Sequence, residues 1–200
     1  MKVLMLNGSP RQHGCTYTAL SEIAKVLTEE GIESEILWLG NGPVRDCIAC
    51  RGCKDGKCVF DDDIANRIIE KAQESDGFIF GSPVYYAHPS GRILSILDRT
   101  FYAGARAFKG KPGAAVVSAR RAGTTASLDV LNKYFTIAQM PLVSSSYWNM
   151  VHGASAEDVA QDAEGLQTMR NLARNMAKLL KERAPQLPNN EFGVWTNFVR

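Results

Sequence analysis

The sequence predicts an α/β fold in which a doubly wound, five-stranded parallel sheet lies between two layers of helices. Three observations predict this α/β/α sandwich. Short apolar runs alternate with helical-period segments five times along the chain. The runs lack the in–out alternation of a strand with one wet face, so both faces are expected to be covered. The chain's 200 residues, 45% hydrophobic and 22% charged, suffice for one large core without disulfide staples.

Val3-Leu4-Met5-Leu6 is the first buried strand. A loop rich in Gly and Ser follows, then a helix whose apolar face is Leu20, Ile23, Ala24 and Leu27, with Gly31 as its stop. Residues 33–39 read as the second strand, and residues 40–59 as a long irregular segment. Asp61 to Ser75 has a helical pattern with Ile64, Ile68, Ile69 and Ala72 on one face and acidic residues in its first turn. Gly77–Gly81 is the third strand, ended by Ser82-Pro83, and Ile93, Leu94, Leu97 and Phe101 mark the next helix. Ala114–Val117 is the fourth strand, Ser127 to Ile137 the fourth helix, and Pro141-Leu142-Val143 starts the fifth strand. A last helix from about Ala156 to Arg183 carries Leu166, Met169, Leu172, Met176 and Leu179, opened by a capping box of Ser155 and Asp158. Residues 1–183 thus form one domain. Residues 184–200, with Phe192, Trp195 and Phe198, are a tail expected to pack on its own or a neighbouring subunit.

A net charge of +2, with no like-charge run longer than Asp61-Asp62-Asp63, argues against nucleic acid and against a polybasic membrane surface. No stretch approaches the ~20 apolar residues of a membrane span. The apolar opening is too short for a signal peptide, so a cytoplasmic protein with reduced thiols is expected.

In such a sheet, ligands bind beyond the carboxyl ends of the strands. After the first strand, Asn7 to Thr18 is a loop of small and hydroxyl residues opening directly into a helix. Backbone N–H groups, hydroxyls and the helix dipole there suit a phosphate, and Arg11 adds a charge. The loop has neither the GxxxxGK[ST] nor the GxGxxG pattern, and so suits a terminal phosphomonoester. After the third strand, Gly81 to Gly91 is stiffened by two prolines and offers Tyr85 and Tyr86 to a planar ring. After the fourth, Ser118 to Thr125 is small and basic. Cys47, Cys50, Cys53 and Cys58 form a C-x2-C-x2-C-x4-C run, a spacing that suits an iron–sulfur cluster, with four-thiolate zinc as an alternative. His13, His88 and His152 lie in no catalytic motif, and Arg11 precedes Cys15, the reverse of the order a cysteine phosphatase needs.

Together these segments resemble the NAD(P)H-dependent FMN reductase family of flavodoxin-like proteins, close to its iron–sulfur flavoprotein branch. The resemblance covers Met1 to about Arg183. It rests on Gly8-Ser9-Pro10-Arg11 with Gly14 and Thr16, Gly81 to Tyr85, Asp98-Arg99, Ser118 to Thr124, Ser146 to Asn149, and the cysteine run followed by Asp61-Asp62. It implies FMN, with the phosphate at Ser9, Arg11, Gly14, Thr16, Tyr17 and Thr18. The isoalloxazine would rest against Pro83, Val84, Tyr85 and Tyr86, closed on its other side by Ser118, Arg120 and Gly123. The four cysteines would hold a [4Fe-4S] cluster.

The implied activity is oxidation of NAD(P)H through FMN, with electrons passed to a quinone, azo or nitro compound or free flavin. The alternative is an iron–sulfur flavoprotein electron carrier with a redox protein as partner, and a third is a non-enzymatic redox or metal sensor. A homodimer or homotetramer is expected. No side-chain acid or base is required, because the flavin carries the redox chemistry.

Overall fold

Hydrophobic burial on both faces of the strands is what organises this chain. In the computed structural model, which describes residues 1–182, β1 (Lys2–Asn7) is an interior strand of the sheet with Val3 to Leu6 wholly inaccessible. It is followed by α1 (Cys15–Glu29), β2 (Glu33–Trp38), α2 (Ala65–Gln73), β3 (Gly77–Tyr85), a two-residue β4 (His88–Pro89) and α3 (Gly91–Gly104). Then come β5 (Gly113–Ala119), α4 (Thr124–Ile137), β6 (Met150–His152), α5 (Ala156–Gln161) and α6 (Ala163–Lys181). The proposed tail, residues 184–200, lies outside the described residues.

The strand order is β2-β1-β3-β5-β6, all parallel, with β4 antiparallel to β3. Because successive side chains of a strand point to opposite faces, the strands feed two cores. Val3, Met5, Ile79, Ala114 and Val116 meet α1 and α6 on one side. Leu4, Leu6, Phe78, Phe80, Ala115 and Val117 meet α2, α3 and α4 on the other. The chain leaves β1 for β2 on one flank, and β3 lies on the other, so the switch point falls between β1 and β3.

Four expectations change. The third strand does not end at Ser82-Pro83 but continues to Tyr85, pairing Pro83 with Ser118 of β5. Beyond Gly81 the β1 partner is gone, so the missing proline N–H breaks no ladder on that side. The fifth strand is interrupted: Leu142 makes a single bridge to Gly113, and regular pairing resumes only at Met150. The helix expected at Asp61 starts at Ala65 and has no acidic residue in its first turn. Asp63 lies outside it, accepting the Ala65 N–H at 3.0 Å and pairing with Arg99. The last helix is two helices. Asp162 ends α5 and caps α6, accepting the Gly165 N–H at 2.9 Å. The capping box of Ser155 and Asp158 is present.

Candidate functional site

The loop after β1 is ordered by its own polar groups. Asn7, fully buried, accepts the Ser9 N–H at 3.1 Å and donates to the Gln12 carbonyl at 2.9 Å. Ser9 Oγ accepts the Arg11 N–H at 3.1 Å, and the Trp38 indole donates to the Ser9 carbonyl at 2.8 Å. Gly8 passes directly beneath α3: a side chain there would bring a Cβ within 2.8 Å of Ile93 Cβ. The close passage lets Gly8 N donate to the Gly81 carbonyl at 2.8 Å, while Ser90 Oγ donates to the Gly8 carbonyl at 2.8 Å. Helix α1 then opens at Gly14 with no side-chain cap and no acidic residue in its first turn. Such an end keeps its positive partial charge for an incoming anion.

Beside it, β3 and β4 form a hairpin around Tyr86 and Ala87, both in the left-handed region (φ 51° and 60°). This is the type I′ geometry that asparagine and glycine favour, imposed here on a tyrosine whose ring is fully exposed. The loop after β5 closes on that hairpin. Gly123 has φ 93°, and a Cβ there would stand 2.7 Å from Ala87 Cα and 3.0 Å from Val84 Cγ1.

These three loops enclose a cavity of about 260 Å³. Of the residues expected at a flavin site, Ser9, Arg11, Thr16, Pro83, Val84, Tyr85, Ser118 and Arg120 line it. Gly14, Tyr17, Thr18, Tyr86 and Gly123 do not. Thr18 Oγ1 donates back to the Gly14 carbonyl at 3.3 Å, and Tyr17 packs edge-on to His13 with ring centroids 4.7 Å apart. Pro10, Cys15, Ala119, Gly153 and Ala154 also line the cavity; the first three lie in loops that the sequence singles out, and the last two it missed. A strand-end position after the last parallel strand was the available signal for Gly153 and Ala154.

Ser9, Thr16 and Ser118 are buried hydroxyls, and Thr16 and Ser118 share a hydrogen bond of 2.9 Å. Burial pushes the Cys15 thiol up from its ordinary value, a rise that Arg11's charge moderates. Two guanidinium groups, three hydroxyls and a helix N-terminus, with no Asp or Glu in the lining among the described residues, form a donor set that fits a phosphomonoester.

A second cavity, of about 350 Å³, is lined by all four cysteines of the run together with Phe60, Arg99 and Tyr102. The backbone reaches it by adopting the left-handed region at Ala49 and Arg51, on either side of Cys50 (φ 51° and 56°). Left-handed backbone at non-glycine residues costs roughly 1–3 kcal/mol each and clusters at functional sites. Cys58 is buried, Cys50 exposed, and Cys47 and Cys53 lie between. Burial, then the nearby sulfurs of Cys58, Cys50 and Cys47, push the Cys53 thiol up. Among the described residues, no three His, Cys, Asp or Glu side chains converge on a single metal ion. Four thiols lining one cavity are a donor set that fits an iron–sulfur centre.

Residues 1–155 match the family model of the NADPH-dependent FMN reductases. The chain belongs to that family. An iron–sulfur flavoprotein of Methanocaldococcus jannaschii is 34% identical over 191 residues, a match covering 90% of this chain and 98% of that protein. The fold is also that of a flavodoxin from the domain Archaea, with a TM-score of 0.62, 14% identity, and coverage of 90% of this chain and 99% of that one. RosB, solved with a bound 8-demethyl-8-formylriboflavin-5′-phosphate intermediate, superposes with a TM-score of 0.73 at 14% identity, over 99% of this chain and 92% of that one. As an FMN reductase family member with iron–sulfur flavoprotein relatives, the chain is a flavin-dependent oxidoreductase with FMN as its cofactor. Among the described residues, no helix is long and apolar enough to cross a membrane.

Proposed function

We propose that this FMN reductase family member is an iron–sulfur flavoprotein, moving electrons between FMN and a [4Fe-4S] cluster on Cys47, Cys50, Cys53 and Cys58. The observation that carries this reading is that all four cysteines line one cavity, with a buried arginine against Cys58. The iron–sulfur flavoprotein relative from Methanocaldococcus jannaschii, matched over nearly its whole length, supports it.

Bound FMN supplies both hydride and single-electron chemistry, and the chain's contribution is to hold and polarise it. Ser9, Thr16, Arg11 and the first turn of α1 would take the phosphate. Pro83, Val84 and Tyr85 would wall the ring on one side, and Ser118 and Arg120 would face it from the other. Gly14 and Gly123 serve by shape rather than contact, and Tyr17 and Thr18 support the helix turn. The cavity, at about 260 Å³, is smaller than the roughly 300–1,000 Å³ of a typical cofactor pocket, so the neighbouring Tyr86 would extend the wall that holds the ring. A second copy of the chain would complete the open side, meeting the exposed Tyr85 and Tyr86.

Anaerobic purification tests the reading. Flavin bands with a broad brown shoulder, and iron and sulfide near four per chain, are expected; flavin without iron refutes the cluster. A second reading is direct NAD(P)H oxidation with a quinone, azo or nitro compound as acceptor. It is supported by Arg120, a cation on the cavity wall that would meet a phosphate of NAD(P)H. Steady-state NAD(P)H oxidation measures it, and a flavin left oxidised by NAD(P)H rejects it. In either reading the molecule is expected to work in the cytoplasm with a small acceptor or a redox protein.

A further inference from the structure

We infer that Arg99 and Asp63 together set the reduction potential of the centre held by the four cysteines, Arg99 raising it and Asp63 lowering it. This rests on the cluster proposed above and adds residues outside the cysteine run.

Arg99 projects from α3 and is 1% exposed, the largest fully buried side chain among the described residues. All its nitrogens are engaged along the cysteine segment. Nε donates to Cys58 Sγ at 3.4 Å, one terminal nitrogen to the Phe60 carbonyl at 2.8 Å, and the other to Asp63 and to the Arg45 carbonyl. Arg99 therefore grips both arms of the segment, before the cysteines at Arg45 and after them at Cys58 to Asp63. Asn66 of α2 completes the hold on Cys58. Its Oδ1 accepts the Cys58 N–H at 2.8 Å, and its Nδ2 donates to the Cys58 carbonyl at 3.0 Å. Cys58 is thus a corner fixed by the protein itself, while Cys50 lies exposed.

The electrostatic consequence follows from the direction of charge change. Each electron accepted by the centre adds one negative charge. A neighbouring cation and an N–H···S contact favour the reduced form, and a neighbouring carboxylate opposes it. Burial keeps these effects strong because little water lies between to screen them. Arg99 touches the sulfur directly, and Asp63 acts on the same guanidinium from its far side.

The test is the midpoint potential of anaerobically purified holoprotein, followed by visible absorption and paramagnetic resonance, with iron content measured alongside. R99Q is expected to lower the potential and D63N to raise it. The R99Q/D63N double variant, neutral at both positions, is expected to fall between the two. Loosened packing or admitted water would shift both single variants in one direction, so opposite signs separate electrostatics from structure. Shifts of the same sign, or no shift, overturn the inference. Should R99Q fail to load iron, D63N decides alone, and a potential at or below the wild type overturns the proposal. Wild-type protein without iron would instead refute the cluster itself, a separate result from potentials that do not move.

Discussion

Replacing Gly123 by alanine probes the contact between the β5 loop and the β3–β4 hairpin, the joint beside the cavity proposed for FMN. At φ 93° an added Cβ lies outside the comfortable range of an L-residue, and it would meet Ala87 Cα at 2.7 Å, a backbone atom with no rotamer to change. The left-handed conformation costs about 1–2 kcal/mol, and overpacking costs about 1–3 kcal/mol more where the neighbour is rigid. The hairpin is exposed at Tyr86, so it yields rather than resists, and the total should settle near 2 kcal/mol. If the strain stays within the folded apoprotein, the melting temperature falls by about 4–8 °C for a chain of this size. If the hairpin moves outward, the loss appears as a roughly 30-fold weaker FMN affinity. Titrating apoprotein with FMN by fluorescence quenching, beside thermal unfolding of the same sample, divides the two. A Gly123→Ala protein that keeps both its melting temperature and its flavin affinity refutes the claim that this joint shapes the site.

Trp38→Phe removes the indole N–H that holds the Ser9 carbonyl; about 1 kcal/mol should be lost, read as several-fold weaker FMN binding with little change in visible spectrum. Tyr86→Gly relieves a left-handed tyrosine and is expected to raise apoprotein stability by up to about 1 kcal/mol while weakening flavin binding; unchanged binding would remove Tyr86 from the site. Burial pushes the Glu35 carboxyl up, but bridges from Lys71 and Lys2 outweigh it and leave it below its usual range. Its stabilisation is therefore present above the unfolded carboxylate value and lost as pH falls through the lower folded one. Accordingly Glu35→Gln should be less stable than wild type by about 1 kcal/mol near neutral pH, and the gap should close in acid denaturation curves below about pH 4.

The alternation of buried runs and amphipathic helices was legible from the chain alone, because each wholly apolar strand demands cover on both faces and each helix shows its own stripe. The loops after the first, third and fourth strands were legible as a site for the same reason: parallel topology brings the carboxyl ends of strands together whatever their separation in sequence. The cysteine spacing pointed to thiols acting together, and all four do line one cavity.

Long-range polar choices lay beyond such reading. Asp63 looked like a first-turn helix acid, yet it leaves α2 to neutralise Arg99 on α3. That pairing is decided by burial, because a guanidinium this deeply enclosed requires a counter-charge and only the packed α2–α3 layer brings one near. Trp38 and Asn66 likewise act on loops that no local pattern links to them. Local sequence therefore determined which segments become strands, helices and ligand loops. Only the tertiary structure decided which charges meet in the dry interior, because desolvation, unlike periodicity, depends on everything that surrounds a side chain.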